Sequence, residues 1–79
     1  MENKLFIEMV RAVVLTAYDQ AASDFRVNPT GDCWKNLEDA MWARQALTSA
    51  MTMKKAVEVL EPIGVGRWIK TLRELHEQQ

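Results

Sequence analysis

The sequence predicts an all-α fold, a compact bundle or orthogonal array of about four helices with a long N-terminal helix, forming one domain over residues 1–79. Three observations carry that prediction. The first 27 residues contain neither Gly nor Pro and place their apolar side chains at helical spacing. Two turn clusters, Asn28–Asp32 and Pro62–Gly66, divide the chain into helix-sized segments. With 79 residues, 48% of them hydrophobic and 27% charged, it has the composition of a folding domain and room for a single core.

Residues 3–25 read as one helix. At about 100° per residue, Phe6, Met9, Val10, Val13, Val14, Ala17, Tyr18 and Ala21 share an arc, with Ile7 and Phe25 at its edge. Lys4, Glu8, Arg11, Thr16, Asp19, Gln20 and Ser23 take the opposite side, and Leu5 and Leu15 read as ordinary exposed leucines. Thr30 or Asp32 can cap the next helix, which starts near Cys33. Its core stripe is Trp34, Leu37, Ala40, Met41, Leu47 and Met51. Thr48, Ser49 and Thr52 favour a break, because hydroxyl side chains compete for backbone hydrogen bonds. A short amphipathic helix with Met53, Ala56, Val57 and Leu60 inward then ends before Pro62. The last helix runs from Arg67 to about Glu77, with Trp68, Ile69, Leu72 and Leu75 inward.

The second helix carries two anomalies. Arg44 interrupts its apolar stripe, and Trp42 lies on another side with Ala46 and Met53, giving a second apolar track. Trp and Met are favoured at protein interfaces. Trp42, Arg44, Ala46 and Met53 are therefore the expected partner-binding residues of a small non-enzymatic interaction protein. Such a protein acts as a regulator, adaptor or inhibitor, of the kind phages and mobile elements encode, and self-association is among the expected partnerships.

Enzymatic chemistry finds little to work with. Nucleophilic catalysis needs a base beside an activated Ser, Cys or Thr, and the one histidine, His76, stands near the C-terminal end of a helix. One Cys and one His far apart make no zinc site, so neither metal nor cofactor is expected. The acidic pairs Glu38/Asp39 and Glu58/Glu61 read as solvated surface. The lone Cys33 and the charges that interrupt the first apolar run point to a cytoplasmic protein without a membrane span.

Pro62-Ile63-Gly64-Val65-Gly66-Arg67-Trp68-Ile69 sets an apolar-Gly-apolar-Gly turn between two helices. It resembles the hairpin of helix-hairpin-helix DNA-binding modules, whose turn amides hold a phosphate with the help of a basic residue. The resemblance implies that Gly64, Gly66, Arg67 and Lys70 would contact phosphates in a nucleic-acid-binding module. The bulky Trp68 and Lys70 stand where that family packs a small residue, and helix-capping chemistry accounts equally for both glycines. A net charge of −1 supplies no general attraction for nucleic acid. In a helix-turn-helix reading, Arg67, Lys70 and Arg73 would point outward from a recognition helix.

Overall fold

A run of 26 residues free of Gly and Pro, Glu2–Val27, forms α1. At about 1.5 Å of rise per residue it spans about 39 Å, and the molecule's longest dimension is 40 Å. The first helix therefore sets the length of the fold. The structure, a computed structural model, describes residues 2–78. After α1 come α2 (Gly31–Ala46), α3 (Ala50–Leu60), a 3-10 turn (Val65–Arg67) and α4 (Trp68–Glu77), with no strand among the described residues.

Each junction follows from local chemistry. Thr30 sits in extended backbone, φ −102° and ψ 166°, and its hydroxyl accepts from the Cys33 N–H at 3.3 Å. That bond satisfies one of the unpaired donors at the start of α2 and is worth about 1 kcal/mol. The break expected near Thr48 falls at residues 47–49. There the Leu47 N–H closes on the Ala43 carbonyl at 3.2 Å, and the Thr48 hydroxyl donates to the Gln45 carbonyl at 2.7 Å. α3 ends ahead of Pro62, and Trp68 returns to it, its indole N–H donating to the Leu60 carbonyl at 3.0 Å and the Ile63 carbonyl at 3.3 Å.

The core draws on all four helices: Ile7, Val10 and Val14 from α1, Ala43 and Ala46 from α2 with Leu47 at its end, Ala56 and Leu60 from α3, Trp68 and Leu72 from α4. Phe6 meets the Trp68 ring edge-on at 5.3 Å. α2 doubles back along α1, bringing Trp34 to Phe25 and Arg44 to Tyr18. Its other flank packs on α4. Ala40, Ala43 and Ala46 are the buried side chains within it, since small residues let a helix approach two neighbours closely.

Two expected core residues lie elsewhere. Met9 is 49% exposed and Ile7 is buried, so the inward face of α1 is rotated towards Ile7, Val10, Val14 and Ala21. Trp34 is 47% exposed and covers Phe25 from outside, because the alanines of α2 already fill the contact. The side chain of Met51 lies outside the described residues. Leu5 and Leu15 are exposed, as expected. Among the described residues no helix is long and apolar enough to cross a membrane.

Candidate functional site

The four expected partner-binding residues do not form one surface. Ala46 is completely buried in the core and offers nothing to a partner. Trp42 is half-buried, its ring stacked on that of His76 at 4.9 Å with the planes 23° apart. The second apolar track of α2 thus faces α4, and a helix held between two neighbours needs two apolar tracks. Arg44 is exposed, with its guanidinium 5.6 Å from the centre of the Tyr18 ring, within the range of cation–π attraction. Met53 is half-buried, and its sulfur accepts a weak hydrogen bond from Arg11 Nη2 at 3.3 Å.

Arg44 and Met53 line a different feature, a groove along the side of α1 where α2 gives way to α3. One part, about 490 Å³, is bounded by Lys4, Ile7, Glu8, Arg11, Met53, Lys54 and Val57. The next, about 290 Å³, is bounded by Arg11, Val14, Leu15, Arg44, Leu47 and Thr48. Arg11 lines both parts, which therefore adjoin at its side chain. The groove's floor is aliphatic and its rim, among the described residues, carries Lys4, Arg11, Arg44 and Lys54 against one carboxylate, Glu8. Among the described residues none of these four cations forms an ion pair. One half of the signal stands in the sequence: Lys4 and Arg11, like Ile7 and Val14, are seven apart and align over two turns. The other half comes from α2 and α3 and depends on tertiary packing.

The recorded ion pairs gather on Arg73 instead. Its guanidinium donates to Asp39, to Glu38 at 3.2 Å and to Glu77 at 3.1 Å. Hydrogen bonding to Asp39, foremost, and the field of the three carboxylates hold its pKa above the ordinary value. Glu38 and Asp39, expected to be solvated surface, thereby tie α2 to α4, and Arg73 does not point freely outward as a recognition helix requires.

Gly64, Gly66, Arg67 and Lys70 are all exposed. Neither glycine has positive φ, and a Cβ on either would meet no atom within 4 Å. The turn therefore does not need glycine for its shape. Gly66 and Lys70 edge a cleft of about 390 Å³ whose other walls include Asp24 and Asp39, carboxylates that would repel a phosphate there. Among the described residues no three His, Cys, Asp or Glu side chains gather as a metal site needs. Comparison with known proteins finds no matching family model, no matching curated protein and no matching solved structure.

Proposed function

We propose that this chain is a small non-enzymatic protein that acts by binding another protein in the groove beside α1 where α2 gives way to α3, as a regulator, adaptor or inhibitor. The observation that supports the reading is the groove itself: an aliphatic trough left open beside α1, rimmed by cations that form no ion pair among the described residues. An apolar trough gains free energy when a complementary side chain displaces its water, by about 25 cal/mol per Å² of apolar surface covered. Polar rims then set specificity and association rate more than affinity. The surface differs from the Trp42 track in being open, and it retains Arg44 and Met53 from the residues the sequence singled out.

The test is a photo-crosslinking amino acid placed at Lys54, on the rim, and separately at Lys35, exposed on α2 and outside the groove. In the native host, a discrete covalent adduct with another protein is expected from position 54 and none from position 35. Equal adducts from both positions, or none from 54, would contradict protein binding at this surface.

A further inference from the structure

We infer that the occupant of the groove is an amphipathic helix of about three turns with acidic flanks. This identification rests on the protein-binding reading above and goes further by fixing the chemistry of what binds. Length comes first. Along α1 the two adjoining parts together run from Lys4 to Leu15, about three turns at 3.6 residues per turn. A helix lying in it would present apolar anchors at i, i+3 or i+4, and i+7.

Charge comes second. The chain as a whole carries −1, yet among the described residues the rim sets four cations against Glu8. Glu58 and Glu61 of the α3 region line neither part of the groove. The local field is therefore positive on a molecule that is otherwise acidic, and carboxylates flanking the occupant's apolar stripe would meet it on both sides.

Other occupants fit less well. A second copy joined through this surface by a twofold axis would set the same cations against each other. An anionic bilayer also offers negative charge above an apolar layer. It is flat, however, whereas these side chains form the floor of a trough between helices.

The experiment is a selection with the intact chain from a displayed library of three-turn amphipathic helices whose flanking positions are randomised. Asp and Glu are expected to dominate the flanks of enriched clones. Affinity of the best clone for Arg11→Glu/Lys54→Glu is expected to fall about tenfold or more, and added salt to weaken binding to the unaltered chain. Lys4→Glu/Lys54→Glu disturbs no recorded hydrogen bond and serves if the first variant misfolds. Enrichment of neutral or basic flanks, no enrichment, or affinity indifferent to both reversals overturns the inference. So does binding to phosphatidylserine vesicles in place of helices, or a concentration-dependent dimer that either variant abolishes. A cross-link from position 54 to a protein without an acidic helix would leave protein binding standing and remove this occupant alone.

Discussion

Replacing Trp68 by Phe removes the hydrogen bonds that join the end of α3 to the start of α4 while keeping an aromatic ring against Phe6. Trp68 is only 3% exposed, and its indole N–H serves the carbonyls of Leu60 and Ile63. The Leu60 carbonyl keeps a second donor, the Ile63 N–H at 3.2 Å, so the Ile63 carbonyl suffers most. Losing the donor costs about 1 kcal/mol net. Losing the pyrrole edge, about two buried carbons' worth of contact, adds about 1.5 kcal/mol. The sum, about 2.5 kcal/mol, is a large share of the roughly 4–12 kcal/mol expected for a chain of this length at about 0.05–0.15 kcal/mol per residue. Thermal unfolding followed by far-ultraviolet circular dichroism should show Tm lowered by about 10–20 °C. Urea unfolding should show a lower midpoint at unchanged slope. Trp42→Phe keeps a ring over His76 at a half-buried site and should cost less than about 1 kcal/mol. Trp68→Phe within about 0.5 kcal/mol of the parent would refute the claim that this indole closes the α3–α4 junction.

Arg73→Met should lower the urea midpoint, and the gap from the parent should narrow in high salt, because the side chain is a quarter exposed and its ion pairs are screened. Its pKa is raised in the folded state, so its contribution is fully present below the ordinary arginine value and is lost only as pH rises through the raised one. The midpoint difference should therefore show no change from titration of Arg73 across neutral pH. Ala43→Leu forces three extra carbons into a completely buried site between helices and should destabilise by about 1–3 kcal/mol in the same assay. Gly66→Ala should leave stability unchanged or raise it by up to about 1 kcal/mol, since the added Cβ meets nothing and φ is not positive. A marked loss there would mean that the turn needs a bare backbone.

The helices themselves were legible because their limits depend on neighbours in sequence. Thr30, Pro62 and the hydroxyl-rich stretch at Thr48 act within a few residues of where they stand. Rotation of each helix about its axis was harder to read. Met9 and Ile7 differ little in hydrophobicity, so periodicity defines a wide arc on α1 without choosing which edge of it turns inward. On α2, weighting by hydrophobic size favours Trp34 beside Ala40, sets Ala46 on the outer track and leaves out Ala43, although small side chains decide where two neighbours can approach at once. Trp42 stands off the main stripe of α2, and an off-stripe aromatic can face a second internal helix as readily as a foreign protein. Charge was least legible. Arg73 meets Glu38 and Asp39 across 35 and 34 positions of sequence, and the cations of the groove come from three helices. Only Lys4 and Arg11, aligned two turns apart on α1, left a local trace.

The most direct measurement is a backbone-amide NMR titration of the isotope-labelled chain with the best acidic helix from the selection. Shift changes concentrated at Lys4, Ile7, Arg11, Val14, Met53 and Lys54, with Trp34 and Lys70 unmoved, are the predicted result. Changes centred instead on Gly64–Lys70, or on the Trp42 and His76 face, would contradict the account.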